Sequence, residues 1–152
     1  MKTETVSVTE LTAKGLRPER GDNRAVVVVV DDDRVVADTM VAILQSNGFC
    51  AVATYRAETA LEFVETVPPD LMIIDILLPG INGIELAMIM KAQCPGCRLL
   101  LVTADPGTEE MVEKARKQGH EFPVLMKPLY AGDLLFALAD PDGASWRRQR
   151  SN

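Results

Sequence analysis

The sequence has few of the residues that build disulfide frameworks and thiolate metal sites. Its 152 residues include three cysteines and a single histidine, His120. An odd number of cysteines, in a chain long enough to bury a core without cross-links, argues against a disulfide framework. Cys94 and Cys97 have the C-x-x-C spacing of a redox or zinc half-site, but the chain lacks partners to complete a four-ligand set. We therefore expect residues 94–97 to form a turn and His120 to be a solvated loop residue.

The sequence also shows no long apolar run, no signal-peptide pattern in its first residues and no excess of basic residues. No run approaches the length of a membrane-spanning helix, and Glu4 and Glu10 lie where a signal peptide has its apolar segment. Its 22 acidic and 16 basic residues give a net charge of −6, and three of the bases lie in the tail at Arg147, Arg148 and Arg150. We expect a cytoplasmic protein with no membrane partner and no direct nucleic-acid binding, because its acidic body repels phosphates.

Apolar runs alternate with segments of helical spacing between residues 25 and 139. The overall balance of 47% hydrophobic and 25% charged residues is typical of one globular domain. Five runs are predicted to be buried strands, at residues 26–30, 49–54, 71–74, 99–102 and 124–126. Helices follow each of them, the fourth at 108–118 and the last at 134–139. This alternation predicts an α/β fold, a doubly wound five-stranded parallel sheet with helices on both faces. Residues 1–24 form a polar N-terminal extension in this interpretation, and 140–152 a flexible C-terminal tail.

Polar side chains follow four of the five predicted strands. They are Asp31 with Asp32, Asp75, Thr103 and Lys127. In an open parallel sheet the carboxyl ends of the strands form the ligand-binding edge, so we expect these side chains to converge. Three carboxylates at one point repel each other, and a single lysine does not neutralise them. The site therefore needs a cation or a carboxyl group of raised pKa.

An all-oxygen site of this kind suits Mg²⁺, which leaves coordination positions free for a phosphate oxygen. The same residues support phosphoryl chemistry, because a carboxylate can attack phosphorus while the metal and the lysine neutralise the oxygens. The sequence has no glycine-rich phosphate loop and no serine and histidine pair at strand ends. Nucleotide hydrolysis and triad chemistry are therefore poorly supported.

The segments that carry these residues resemble the receiver domain of two-component response regulators. The resemblance rests on VVVVVDDD, LMIIDILLPGINGIEL, LLLVTA and VLMKPL, which occur in this order within residues 25–139. It implies a flavodoxin-like strand order of 2-1-3-4-5. It also implies that Asp75 is the phosphoacceptor, and that a sensor histidine kinase or a phosphotransfer protein is the donor. The chain would then be a signalling module, with no enzymatic activity beyond its own phosphorylation and dephosphorylation.

The resemblance assigns further roles residue by residue. Asp32 and Asp75 would bind Mg²⁺ directly, Asp31 would act through water, and Leu77 would offer its backbone carbonyl. Lys127 would pair with the phosphoryl group and Thr103 would move toward it. That movement would change the surface formed by the fourth helix, the fifth strand and the fifth helix. A downstream protein partner would bind there, and the surface also allows a homodimer.

One departure from the family pattern leaves an alternative open. Val124 stands three residues before Lys127, where receivers usually have Tyr or Phe, and Phe122 is a candidate substitute only if the strand extends that far. Asp33 is expected to cap the first helix and not to bind metal.

The alternative function is a haloacid-dehalogenase-like phosphatase using Asp31 and Asp33, which leaves Asp75 without a role. A receiver that acts as an unphosphorylated scaffold is a third reading.

Overall fold

The computed structural model describes residues 24–127 and 130–138, and within them five parallel strands form one sheet. The strand order is β2-β1-β3-β4-β5, so the predicted order is confirmed. The bounds of β1 and β5 match the sequence prediction, and those of β2, β3 and β4 differ from it by one residue at one or both ends. The strands are β1 (Val26–Val30), β2 (Cys50–Thr54), β3 (Leu71–Asp75), β4 (Arg98–Thr103) and β5 (Val124–Met126).

Five helices connect or follow the strands in the described part of the chain. They are α1 (Arg34–Ser46), α2 (Ala57–Thr66), α3 (Gly83–Gln93), α4 (Glu109–Lys117) and α5 (Ala131–Leu138). The predicted fourth helix starts one residue too early, because Thr108 belongs to a separate 3₁₀ turn, Pro106–Thr108. The last helix starts three residues before the predicted one. None of these helices is long and apolar enough to cross a membrane.

The expectations for residues 1–24 fall almost wholly outside the described residues, and those for the tail at 140–152 fall entirely outside them. The same is true of Ala139, the last residue of the predicted fifth helix.

Helices cover both faces of the sheet, and this explains the run of five valines in β1. All five are fully buried. Because side chains alternate between the faces of a strand, Val26, Val28 and Val30 pack in one core with α2 and α3. Val27 and Val29 pack in the other core with α1 and α5. A strand buried on both faces has no polar alternation, which is the pattern in the sequence.

The starts of α1 and α3 anchor the loops that follow β1 and β3. The Asp33 side chain accepts hydrogen bonds from the amides of Val35 and Val36 at 3.1 and 3.3 Å, so its predicted role as a helix cap is confirmed. Asn82 and Glu85 form a reciprocal capping box at the start of α3. These caps fix the starts of the two helices that follow Asp31 and Asp75 in the chain.

Candidate functional site

Three carboxylates meet at the carboxyl end of the sheet. Asp31 follows β1, Asp75 ends β3, and these strands are neighbours. One oxygen from each of Asp31, Asp32 and Asp75 lies within 4.8 Å of the others. Asp31 is fully buried, Asp75 is 8% exposed and Asp32 is exposed. The predicted convergence of these three side chains is therefore present in the structure.

Lys127 reaches the same cluster from the end of β5. Its Nζ donates a hydrogen bond to Asp31 Oδ2 at 2.6 Å and lies 3.5 Å from Asp75 Oδ2. In the sheet, β4 lies between β5 and β3, and both β4 and β3 lie between β5 and β1. The lysine side chain therefore spans one strand to reach Asp75 and two to reach Asp31. The ammonium thereby bridges the two buried carboxylates.

Backbone amides fix the other oxygen of each buried carboxylate. Asp31 Oδ1 accepts from the amide of Asp33 at 3.0 Å, and Asp75 Oδ1 accepts from the amide of Leu77 at 3.3 Å. The Leu77 side chain is 46% exposed, beside the cluster. Each buried carboxylate therefore has one oxygen on a backbone amide and one facing Lys127.

Burial and crowding of like charge perturb the ionisation of the cluster. Burial, with the neighbouring charge of Asp31, raises the pKa of Asp75 to about 6, although Lys127 and the Leu77 amide work in the opposite direction. Burial acts to lower the pKa of Lys127, but its hydrogen bond to Asp31 and the charges of Asp31 and Asp75 prevail and raise it. Lys127 is therefore a permanent cation at neutral pH.

The donor set fits a hard divalent cation. Carboxylate oxygens are the ligands that Mg²⁺ prefers, and here three carboxylates are grouped, two of them buried and one exposed. A single ammonium leaves three carboxylates with excess negative charge, which a divalent ion would balance. Asp31 Oδ2 is already engaged by Lys127, whereas Asp32 faces solvent.

Thr103 lies at the end of β4, but its hydroxyl group bonds within the loop that leads to α4. Thr103 Oγ1 accepts from the amide of Asp105 at 3.1 Å and lies 3.2 Å from Thr108 Oγ1. The sequence predicted that Thr103 belongs to the site, whereas these loop contacts, and the part played by Thr108, were missed. No sequence pattern indicates that a threonine five residues after Thr103 would contact its hydroxyl group.

The structure argues against Phe122 as a replacement for the usual aromatic residue. β5 begins at Val124, so the strand does not extend back to Phe122. The Phe122 ring is 4% exposed and packs in the core, with Lys91 Nζ 5.6 Å from its centroid. Val124 is half-buried against the same core. Phe122 is thus a core residue of the described chain and not a surface aromatic.

The cysteine pair and the histidine lie away from the carboxylates. The amide of Cys97 donates to the carbonyl of Cys94 at 3.0 Å, which confirms the predicted turn. Burial raises the pKa of Cys97 to about 12, so its thiol stays protonated. The expectation of a solvated His120 is wrong. Its amide donates to the carbonyl of Ala115 in α4, and the residue is half-buried. Within the described residues its Nδ1 is buried and has no hydrogen-bond partner.

Comparison with known proteins agrees with the fold and identifies the family. The family profile described as response regulator receiver domain matches residues 27–139. A response regulator receiver domain protein (CheY-like) from Methanospirillum hungatei JF-1 superposes with a TM-score of 0.70 at 25% identity, covering 82% of this chain and 98% of that one. The chain belongs to the response regulator receiver family.

Curated relatives are longer than the chain. A DNA-binding response regulator MtrA from Mycolicibacterium paratuberculosis is 30% identical over 109 residues, which are 72% of this chain and 47% of that protein. A cyclic di-GMP phosphodiesterase from Thermotoga maritima is 36% identical over 93 residues, which are 61% of this chain and 24% of that protein. The chain thus spans about half the length of the first relative and a quarter of the second.

Membership of the receiver family indicates the general role of the chain. The chain is a signalling module, and its family exchanges phosphoryl groups with histidine kinases or phosphotransfer proteins and binds Mg²⁺ at the acidic site. Nothing in the comparisons supports the phosphatase alternative. Nor do they support the expectation that nucleic-acid binding is absent, because one relative is named a DNA-binding regulator.

Proposed function

We propose that Asp75 accepts a phosphoryl group from a sensor histidine kinase or a phosphotransfer protein. The observation that carries this proposal is the position of Lys127 Nζ, which lies between the carboxylates of Asp31 and Asp75 at the sheet edge. A lysine beside a nearly buried aspartate can hold a phosphoryl oxygen as charge develops on it. Asp75 is 8% exposed, so a donor can reach its carboxylate only from the open edge of the sheet.

The carboxylates of Asp32 and Asp75 and the backbone carbonyl of Leu77 would hold Mg²⁺ directly. Asp31 would act through water, which accords with the engagement of its Oδ2 by Lys127. When bound, the metal supplies positive charge for the phosphoryl oxygens. Asp31 also keeps the ammonium group of Lys127 oriented toward Asp75.

Transfer requires the ionised form of Asp75. A carboxylate oxygen attacks phosphorus as the bond from phosphorus to the donor nitrogen breaks, and the electron pair of that bond returns to the nitrogen. Lys127 Nζ then pairs with a phosphoryl oxygen, and this pairing replaces its contact with Asp75 Oδ2. The Thr103 hydroxyl leaves its loop contacts and donates to another phosphoryl oxygen.

The change at Thr103 would reach a surface made of α4, β5 and α5. The loop that holds Thr103 continues directly into the 3₁₀ turn and α4. Met126, Tyr130 and Phe136 are exposed apolar residues on β5, before α5 and on α5. We propose that a downstream protein partner, or a second copy of the chain, binds this surface according to the state of Asp75.

We propose residues 25–139 as the receiver unit, with 1–24 and 140–152 as flanking segments. In this proposal the unit works in the cytoplasm and has no activity beyond its own phosphorylation and dephosphorylation. Contact with nucleic acid is not part of the proposed role of the unit.

Intact mass measured after incubation with acetyl phosphate and Mg²⁺ tests the phosphoacceptor. We expect one phosphoryl adduct on the wild type, none with EDTA and none on Asp75→Asn. Asp133→Asn, which changes an exposed acid on α5, is the matched control and should form the adduct normally. An adduct that persists in Asp75→Asn, or its absence from a folded wild type that binds Mg²⁺, would refute the proposal.

A further inference from the structure

The hydroxyl group of Thr108 is buried where the chain enters α4. Thr108 is 3% exposed and ends the 3₁₀ turn Pro106–Thr108. Its Oγ1 donates to the carbonyl oxygen of Asp105 at 2.8 Å and lies 3.2 Å from Thr103 Oγ1. Packing alone does not call for a hydroxyl group here, since an apolar residue of the same size would fill the space equally well. The two contacts of the Thr108 hydroxyl group therefore indicate a role for its hydrogen bonds.

These contacts use the Thr103 hydroxyl group, which in the proposed function donates to a phosphoryl oxygen. Thr103 Oγ1 accepts from the amide of Asp105, contacts Thr108 Oγ1, and lies 3.3 Å from the carbonyl oxygen of Asp105. The loop is closed further by the Asp105 side chain, whose Oδ1 accepts from the amide of Gly107 at 2.8 Å. Because the single proton of Thr108 lies on the Asp105 carbonyl, the proton of Thr103 is shared between Thr108 Oγ1 and that carbonyl. Thr103 therefore uses its proton and one lone pair inside its own loop.

We propose that Thr108 is a positioning residue that holds Thr103 in the loop while Asp75 is unphosphorylated. The inference rests on the proposed function, in which Thr103 leaves the loop to bond the phosphoryl group. The bond from Thr108 to the Asp105 carbonyl can persist in both arrangements, so it favours neither. The contact between the two hydroxyl groups exists only in the resting arrangement, and a contact made in one state alone shifts the equilibrium toward that state.

Thr108→Val removes the hydroxyl group and keeps the shape of the side chain. We expect this variant to bind the phosphoryl mimic beryllofluoride, in the presence of Mg²⁺, about three- to tenfold more tightly than the wild type, the effect of losing one hydrogen bond. Binding is measured by ¹⁹F NMR of the bound ligand. Thr108→Ser keeps the hydroxyl group and should retain the wild-type affinity.

A double-mutant cycle separates a role through Thr103 from a general effect on the fold. In a Thr103→Val background, Thr108→Val should leave the beryllofluoride affinity unchanged, because the contact is already lost. The matched control is Thr54→Val, which removes a buried hydroxyl group bonded to the Val29 carbonyl at 3.0 Å and outside this loop. This control should not tighten binding. If Thr108→Val does not fold, Thr108→Ala takes its place in the same cycle.

A second readout does not depend on ligand affinity. The amide proton of Asp105 donates to Thr103 Oγ1, so its NMR chemical shift reports whether the loop contact is made. In free Thr108→Val we expect this shift to move toward its position in beryllofluoride-bound wild type. A merely structural role would alter melting temperature without moving this resonance along that path.

The outcomes distinguish this inference from the proposed function. Unchanged or weaker binding by folded Thr108→Val, or an equal gain in the Thr103→Val background, overturns the role of Thr108 and leaves Asp75 as phosphoacceptor. If the wild type shows no bound signal that depends on Asp75, the proposed function fails and the role of Thr108 falls with it.

Discussion

Lys127 Nζ donates to Asp31 Oδ2 at 2.6 Å, although 96 positions separate the two residues in the chain. The bond joins the ends of β1 and β5, which are not neighbours in the sheet. It also places a positive charge against the acidic cluster that a metal would share. Lys127 therefore both tethers the end of β5 and competes electrostatically with a divalent cation for the carboxylates.

Lys127→Met should change Mg²⁺ binding and phosphorylation in opposite directions. Removing the cation increases the negative charge of the cluster, so we expect the variant to bind Mg²⁺ several-fold more tightly than the wild type. Its phosphorylation by acetyl phosphate should fall at least about a hundredfold, because the phosphoryl oxygens lose their protein cation. Isothermal titration measures the first quantity and time-resolved intact mass the second.

Lys117→Met is the matched control for this experiment, since Lys117 is an exposed residue of α4. It should change neither quantity. Weaker Mg²⁺ binding by Lys127→Met would show that the lysine organises the carboxylates more than it repels the metal.

Asp75→Asn should stabilise the metal-free protein at neutral pH. The pKa of Asp75 is raised from 3.8 to about 6 in the folded protein, chiefly by burial, so protonation favours folding. The contribution of Asp75 to stability is fully present below its unfolded pKa and is lost as the pH rises through about 6. Above that pH the buried charge is a cost, and asparagine removes it.

Urea unfolding in EDTA measures this effect. At pH 7.5 we expect Asp75→Asn to have a free energy of unfolding higher by about 1–3 kcal/mol. The difference should shrink as the pH is lowered toward 4, where the wild-type carboxyl group is protonated as well. A variant that is less stable at pH 7.5, or a difference independent of pH, would contradict the raised pKa.

Much of the site could be predicted from the sequence because it depends on regular structure. Residues that directly follow buried parallel strands must lie at one edge of the sheet, whatever the details of packing. Asp31, Asp75 and Lys127 satisfy that condition, and their charges suggest why they pair. The cap at Asp33 was predictable for the same reason, since its hydrogen bonds are local.

The rest depended on contacts that leave no pattern in the sequence. The contact between Thr103 and Thr108 depends on a 3₁₀ turn, which separates the strand from α4 and is too short for a periodic signal. Phe122 and His120 lie in the connection between α4 and β5. Whether such residues face the core or solvent is decided by the path of the loop, which periodicity does not report.

Gly83→Ala should disturb Asp75 through the backbone. A Cβ added at Gly83 would lie 2.2 Å from the carbonyl oxygen of Asp75 and 2.7 Å from Ile76 Cα, so the end of β3 or the start of α3 must move. We expect a loss of about 1–3 kcal/mol in the free energy of unfolding, as for other forced contacts in a packed interior. Phosphorylation of Asp75 should slow as well.

Gly132→Ala provides the comparison, because a Cβ at that position in α5 meets no atom within 4 Å. It should be neutral or stabilising by up to about 1 kcal/mol, since alanine favours helix more than glycine does. Urea unfolding and intact mass report both variants. Equal behaviour of the two alanine variants would mean that the packing of α3 against β3 is looser than the contact implies.

Asp33 should matter for stability and not for phosphoryl transfer. Its carboxylate caps α1 through the amides of Val35 and Val36, and its own amide bonds to Asp31 whatever its side chain. We expect Asp33→Ala to lower the free energy of unfolding by about 1 kcal/mol, while Asp33→Asn, which retains a capping oxygen, stays close to the wild type. Both should form the acetyl phosphate adduct at the wild-type rate within about twofold. A loss of adduct in Asp33→Asn, with the protein folded, would instead make the charge of Asp33 part of the site.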